Sequence, residues 1–270
     1  MTVPVLLLKK RFNENVDNLI ASYASRKSQL YSVEVSDPFK STGSSGAASP
    51  FIKTVFPEIK IAATLERSLN TALGWGWDKV VADIALATHG NGLFSHDVHG
   101  SFSAVAGTAI ESVVNSYRDK PRRKPDTHSE LLSIMPAVSL AGAQETVVER
   151  DDAFYIDGHG VEHHIEIKTP KPNYDQMRAA KRRILRLHAS QGDKQIRAFV
   201  GMPYNPNGRY GQYGWPTTSI FLDLSVDLLV GEEFWNYVGA AADTYDEMLE
   251  CFYEVGQSRK FELLSLLTKD

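Results

Sequence analysis

A glutamate and a lysine lie one residue apart at the end of a predicted strand, in the segment VEHHIEIK. Side chains alternate across a strand, so Glu166 and Lys168 share one face, about 7 Å apart along it. The residues DGHG before this strand favour a tight turn, so DDAFYI is predicted to run back beside it as an antiparallel strand. This hairpin brings Asp151 or Asp152 opposite Glu166.

The length of the hairpin loop decides which of the two acids faces Glu166. A loop of two or four residues pairs Asp151 with Glu166, and a loop of five residues pairs Asp152 with it. We favour Asp152, because the apolar run begins directly after it. Periodicity alone leaves both alternatives open.

Two carboxylates on one sheet face repel each other unless a cation lies between them. Mg²⁺ prefers oxygen ligands and keeps several waters, so Asp152, Glu166 and the carbonyl of Ile167 form a predicted Mg²⁺ site. Lys168 is predicted to contact a metal-bound water or a phosphate oxygen beside the ion. This set of groups suits hydrolysis of a phosphodiester, in which the cation activates water and the lysine stabilises the developing charge.

An exposed glutamate and lysine on an edge strand are the ordinary explanation for such a pair. Three features favour the catalytic interpretation here: the strand–turn–strand context, the abrupt end of the strand at TPKPN, and a basic helix after it. Asn173 is a predicted N-cap of that helix. Gln176, one turn into the helix, is predicted to orient the attacking water or to touch a phosphate, or else to be an ordinary polar residue at a helix start.

Composition and charge limit the function classes. The chain has 270 residues, 43% of them hydrophobic and 23% charged, as in an ordinary soluble globular protein, and we expect it in the cytoplasm. Its one cysteine, Cys251, excludes an internal disulfide framework and a multi-cysteine zinc site. The net charge is −4, but basic residues cluster in 118–124 and 177–188, so a basic cleft for a polyanion is possible.

Several side chains are predicted to contact DNA. Lys181 and Arg182 of the basic helix are placed to follow a phosphate backbone, and Lys171 lies in the tight TPKPN turn. The segment MPYNP follows a buried strand, at a position where loops often carry function. The candidate base contacts are therefore Tyr204, Asn205 and Arg209, unless this segment is only a structural turn.

Histidines are frequent in and before the hairpin. His89, His96 and His99 lack the spacing of a helical metal-binding pair, so they are a weak metal signal. His163 is predicted to be a structural core histidine, and His164 shares the predicted catalytic face, where it is a candidate DNA contact.

The order of elements predicts an α/β protein: a central mixed β-sheet flanked by helices, with an N-terminal helical elaboration. Residues 1–270 are predicted to form one domain. Its parts are a mostly helical segment 1–125, a sheet core 140–225 and C-terminal helices 226–270. Helices are predicted at 10–32, 59–87, 104–117 and 174–190, strands at 145–149, 151–156, 161–168, 195–203 and 218–225, and loops at 41–50 and 88–101.

At the hairpin and its neighbours the chain resembles the PD-(D/E)XK nuclease superfamily, in its type II restriction endonuclease branch. The segments IEIKTPKPNYDQ, VGMPYNPNGRYGQYGW and GEEFWNYVGAAADTYDEMLECFYEVG are similar to one group of these enzymes, and the resemblance covers roughly residues 145–256. It implies a PD-(D/E)XK core in which Asp152 and Glu166 bind Mg²⁺ and Lys168 is the catalytic lysine. It also implies an assisting acid on an N-terminal helix, with Asp78 as the candidate and Glu66 behind it.

The chain departs from the superfamily pattern at the first acid, where Arg-Asp-Asp replaces Pro-Asp, so Asp151 remains an alternative to Asp152. The resemblance predicts a Mg²⁺-dependent type II restriction endonuclease that acts as a homodimer on a short palindromic site in double-stranded DNA, of the GGNCC kind. Two other functions are open: a structure-specific repair or recombination nuclease of the same superfamily, and a DNA-binding module without catalysis.

Overall fold

The computed structural model describes residues 3–36, 76–119 and 124–266, with side chains described for 3–22, 76–117 and 124–266. Glu66, the predicted loop 41–50 and most of the predicted helix 59–87 lie outside the described residues. The chain forms two compact units, one of Met1–Pro4 with Trp77–Glu247 and one of Val5–Gly76 with Met248–Asp270. All described candidate site residues belong to the first unit. The assignment of residues 1–270 to one domain stays a prediction.

The elements of the described chain follow in order. The helices are α1 (Val5–Ser36), α2 (Trp77–His89), α3 (Ala104–Asp119), α4 (Thr127–Val138), α5 (Tyr174–Ser190), α6 (Pro216–Phe221), α7 (Glu232–Val238), α8 (Thr244–Ser258) and α9 (Lys260–Ser265). The strands are β1 (Leu93–Ser103), β2 (Gln144–Ile156), β3 (Glu162–Ile167), β4 (Ile196–Met202) and β5 (Leu228–Val230). Within these ranges no helix is long and apolar enough to cross a membrane.

The five strands form one sheet in the order β1-β2-β3-β4-β5. β1 and β3 are antiparallel to β2, while β4 is parallel to β3 and β5 is parallel to β4. A parallel pair needs a crossover, and α5 supplies it between β3 and β4. The predicted mixed sheet flanked by helices is therefore confirmed.

Two local predictions are wrong. The predicted loop 88–101 contains most of β1, which pairs with β2 from Leu93 opposite Phe154 to Ser103 opposite Gln144. Its histidines and glycine suggested a loop, but a long partner strand satisfies its backbone. The first half of the predicted strand 218–225 belongs instead to α6, which begins at Pro216, where the fixed φ of proline suits a first helical turn, and the rest is turn and irregular chain.

The helix α5 is fixed against the sheet by its apolar side and by its first turn. Met177, Ala180 and Ile184 are buried in the same core as Val200 of β4. Asn173 is its N-cap, as predicted, and accepts a hydrogen bond from the amide of Gln176. The predicted helix 174–190 is confirmed.

Lys181 of α5 lies in this core with no exposed surface. Its Nζ donates to Thr127 at 2.6 Å and lies 2.6 Å from Glu130 Oε2 and 2.8 Å from Asp227 Oδ2. Burial raises the pKa of Glu130, against the opposing effect of the lysine charge. The predicted phosphate contact of Lys181 is wrong, because its charge is enclosed and joins α5 to α4 and to the loop before β5.

The second unit contains α1, most of α8 and all of α9. The rings of Phe12 and Phe252 lie 3.7 Å apart between centroids, and Arg259 donates to Asp17 at 2.7 Å. The predicted helix 10–32 lies within α1.

Replacing Lys181 by methionine should lower the free energy of unfolding by about 3–5 kcal/mol, because two buried carboxylates lose their cation. Lys194 offers the matched control: its side chain is 55% exposed and pairs with Glu162 at 3.0 Å, so Lys194→Met should cost less than about 1 kcal/mol. Urea denaturation of both variants measures the difference. A Lys181→Met protein as stable as the control would contradict the structural role.

Candidate active site

The hairpin of β2 and β3 has the five-residue loop that places Asp152 opposite Glu166. The ladder pairs Ala153 with Ile165 and ends at Ile156 opposite Glu162, which leaves residues 157–161 as the loop. Gly160 has φ of 81°, a value that favours glycine, and its amide donates to Asp157. Continuing the register by one residue sets Asp152 across from Glu166.

The regular alternation of β2 is interrupted between its two acids. Asp151 contacts Arg183 of α5, on one side of the sheet. Tyr155 has the same parity as Asp151 but stacks on His89 of α2, at a centroid distance of 4.4 Å, on the other side. Strict alternation would place these two side chains on one face of the sheet. They lie on opposite faces, so the alternation of side chains shifts by one residue between them. Both Asp151 and Asp152 therefore lie near the groups of α5 and β3.

The irregularity at Asp152 also affects the two strands on either side of it, β1 and β3. Ser95, which would oppose it on β1, is missing from the ladder and has φ of 53°. On the other side, Asp152 Oδ2 accepts the amide of Ile167 at 2.7 Å. A side chain of β2 thus takes the hydrogen bond that a backbone carbonyl would take in a regular sheet, and the end of β3 is held to Asp152.

Asp152 and Glu166 form a crowded pair of carboxylates. Burial raises the pKa of Asp152, and the charge of Glu166 raises it further, while the Ile167 amide, Lys168 and Arg183 oppose this. A cation placed between the two acids would remove the repulsion.

Glu166 lies between two basic groups. Its Oε1 contacts the ammonium of Lys168, and its Oε2 lies 2.9 Å from Nη1 of Arg183. The side chains of Glu166 and Lys168 are 17% and 23% exposed, so both are reachable from solvent. Lys168 follows β3 directly, and its amide donates to Gly201 at 3.0 Å, which continues the pairing with β4.

Asp151 is fully buried, and both of its oxygens are occupied. Oδ2 lies 2.8 Å from Nδ1 of His164, and Oδ1 contacts Arg183. This arrangement favours Asp152 over Asp151 as an acid open to a ligand. The suggested DNA contact of His164 is wrong, because this histidine is only 1% exposed. His163 is a buried core histidine, as predicted, between Asp157 and Tyr237.

The donor set at the end of β3 suits a hard cation. It consists of the carboxylates of Asp152 and Glu166 and the carbonyl of Ile167, all oxygen ligands of the kind that Mg²⁺ prefers. No group of three or more His, Cys, Asp or Glu residues in the described ranges is arranged to hold a metal. An ion here would therefore keep several waters, as Mg²⁺ usually does.

The other metal and assisting candidates lie apart from this set. His89 Nε2 lies 3.0 Å from the carbonyl of Val238, and His96 stacks on Phe154. Asp78 begins α2, and its buried Oδ1 has no hydrogen-bond partner within the described part of the chain. Its predicted assisting role stays a prediction.

Gln176 forms a capping box with Asn173. Its Oε1 accepts the Asn173 amide at 2.9 Å, and its own amide donates to Asn173 Oδ1 at 2.9 Å. The oxygen of the side chain is thus used by the helix, while a catalytic role of the amide group stays a prediction.

The turn 169–173, which follows β3, accepts hydrogen bonds from the segment after MPYNP. Tyr213 donates to the carbonyl of Pro170 at 2.9 Å, and Trp215 donates to that of Pro172 at 2.9 Å. Lys171 between them is exposed, with its ammonium 5.7 Å from the centre of the Trp215 ring. The turn is rigid while its lysine remains available.

The other predicted DNA contacts differ in their exposure and in the partners that they already have. Tyr204 is 44% exposed. Asn205 bonds within its own loop, to the carbonyl of Gly211 at 2.6 Å. Arg209 and Arg182 are both held by carboxylates: Arg209 by Glu232 and Asp246, and Arg182 by Glu111.

Sequence reasoning missed Arg183 and the contact of Asp151 with His164. Arg183 was one of several basic residues on α5, and nothing in its spacing distinguished it from its neighbours. The pairing of His164 with Asp151 depends on the interrupted alternation of β2, which the sequence pattern does not show.

Comparisons with known proteins identify the family of the chain. Residues 8–256 match the family described as type II restriction endonuclease, HinfI. The chain is 29% identical over 264 residues to the type II restriction enzyme HgiCII of Herpetosiphon aurantiacus, with 96% of each chain covered. The type II restriction enzymes HgiEI and HgiBI of the same organism are each 29% identical over 265 residues, again with 96% of each chain covered. The family match spans most of the chain, and the chain therefore belongs to the HinfI family of type II restriction endonucleases.

Proposed function

We propose that this restriction endonuclease is Mg²⁺-dependent and hydrolyses phosphodiester bonds of double-stranded DNA with Asp152, Glu166 and Lys168. The observation that carries the proposal is the meeting of these three groups, Asp152 from within β2 and the other two from the end of β3, in half-buried surroundings that solvent reaches. The hairpin and the mixed sheet also support the PD-(D/E)XK core that the resemblance implied.

Asp152, Glu166 and the Ile167 carbonyl would hold Mg²⁺, which when bound supplies a Lewis acid and activates water for attack. The chain's own groups prepare the site. The contact of Asp152 with the Ile167 amide fixes the end of β3 and hence the direction of its last carbonyl. Lys168 would donate hydrogen bonds to a phosphate oxygen and balance the charge that grows on it.

Lys171 and Tyr204 are exposed, as Arg209 is, but no carboxylate holds them in the described structure. Arg182, Asn205 and Arg209 would have to exchange their present partners for DNA. Such an exchange suits arginine, because its planar fork binds a carboxylate, a phosphate or a guanine edge in a similar way.

A homodimer is the proposed active form. A two-fold symmetric protein matches a palindromic site, and each subunit would then cut one strand. The proposed site is short and of the GGNCC kind, and the proposed location is the cytoplasm, where the DNA to be cut is found.

Plasmid DNA digested with Mg²⁺ should give discrete bands, and chelation should abolish them. Lys168→Ala and Glu166→Ala should each lower the cleavage rate at least about a hundredfold, because each removes a group that stabilises the transition state. Lys194→Ala is the control, since this exposed lysine pairs only with Glu162 in the described structure. Sequencing of the cut ends gives the site. A smear of fragments, or full activity of the two variants, would refute the assignment.

Gln176 can be tested with two variants. Gln176→Glu keeps an oxygen for the capping box and should retain the free energy of unfolding, whereas Gln176→Ala should lose about 0.5–1 kcal/mol. If the amide serves catalysis, Gln176→Glu should nevertheless cut at least about tenfold more slowly, because it loses a donor and repels phosphate. Denaturation and cleavage rates are compared. Normal cleavage by Gln176→Glu would show that the residue is only a cap.

A further inference from the structure

Arg183 connects the candidate active site to the interior of the protein. It lies on α5, its side chain is 11% exposed, and its two terminal nitrogens reach different strands. Nη2 contacts Asp151 of β2, and Nη1 lies 2.9 Å from Glu166 Oε2 of β3. A single guanidinium thus joins a buried carboxylate to a carboxylate of the proposed metal site.

The buried end of this connection is itself fixed. Asp151 has no exposed surface, and its second oxygen lies 2.8 Å from Nδ1 of His164, which is 1% exposed. The guanidinium is planar, and its donors have a fixed geometry. A group held at one nitrogen by a buried partner therefore presents the other nitrogen in a set direction.

We propose that Arg183 is a positioning residue that orients the carboxylate of Glu166 for the metal ion. Arg183 holds Oε2 from the α5 side, so Oε1 is directed to the side of Lys168. Carboxylates that bind metals are commonly fixed by such outer partners, whose loss typically lowers metal affinity or activity about 10- to 100-fold. The proposal rests on the proposed metal site and adds a residue that no sequence motif indicates.

A different role for Arg183 would be charge compensation alone. Asp151, Asp152 and Glu166 crowd together, and any cation nearby reduces their repulsion. The two roles predict opposite results. If only charge matters, lysine can replace Arg183 without effect, and a neutral residue makes the site more attractive to a metal cation. If orientation matters, both replacements weaken the site, because neither can bridge two strands with a planar fork.

The test measures Mn²⁺ binding to the full-length protein without DNA, by paramagnetic resonance of the free ion. Arg183→Lys and Arg183→Gln should each bind Mn²⁺ at least about tenfold more weakly than the wild type. Arg186→Lys is the matched control: Arg186 lies one turn further along α5 and pairs with Glu149 of β2 at 2.7 Å, away from the site. It should bind Mn²⁺ as the wild type does.

Unchanged affinity in Arg183→Lys, or tighter binding in Arg183→Gln, would overturn the positioning role. Circular dichroism checks the fold, and if Arg183→Lys does not fold, Arg183→Gln decides alone: weaker binding supports the proposal and equal or tighter binding overturns it. Glu166→Gln distinguishes failure of the proposed metal site from failure of the positioning role of Arg183. If it leaves Mn²⁺ binding intact, the proposed metal site falls and this inference with it. If it weakens binding while Arg183→Lys does not, only the inference falls.

Discussion

Repulsion between a carboxylate within β2 and one at the end of β3 is the constraint on which the rest of the site depends. Asp152 and Glu166 face each other, and the charge of Glu166 adds to burial in raising the pKa of Asp152. The chain offsets this with Lys168 on the strand and Arg183 on α5. The helix α5 must therefore keep one rotation and one height over the sheet, so that Arg183 reaches both strands. Its capping box and its buried Lys181 hold it in that position.

The hairpin could be predicted from the sequence because two local signals agree. Turn residues indicate where the loop lies, though not its length, and alternation along β3 places Glu166 and Lys168 on one face. The facing of both Asp151 and Asp152 could not be predicted, because it depends on an irregularity shared with Ser95 on another strand. A one-strand pattern contains no information about the conformation of its neighbour.

Charge on a helix was a poor guide to exposure. Lys181 was assigned to DNA because it lies in a basic segment, yet its partners Asp227 and Thr127 are 46 and 54 residues away along the chain and enclose it. A buried lysine is rare unless paired, so a sequence reading favours the surface by default. The prediction of a loop at 88–101 was wrong for a similar reason, since the polar residues of β1 were interpreted without the partner strand that satisfies its backbone.

The three segments that resemble the family are joined in space by hydrogen bonds to proline carbonyls. Trp215 donates to the carbonyl of Pro172 in the turn after β3, and Trp235 donates to the carbonyl of Pro203 at 2.8 Å in the loop after β4. Proline has no amide to donate, but its carbonyl is a full acceptor, and its ring restricts the backbone that presents it. These contacts hold the turn after β3 to the segment that follows the MPYNP loop. A displacement of that segment by DNA would therefore act on the turn that carries Lys171 through these hydrogen bonds.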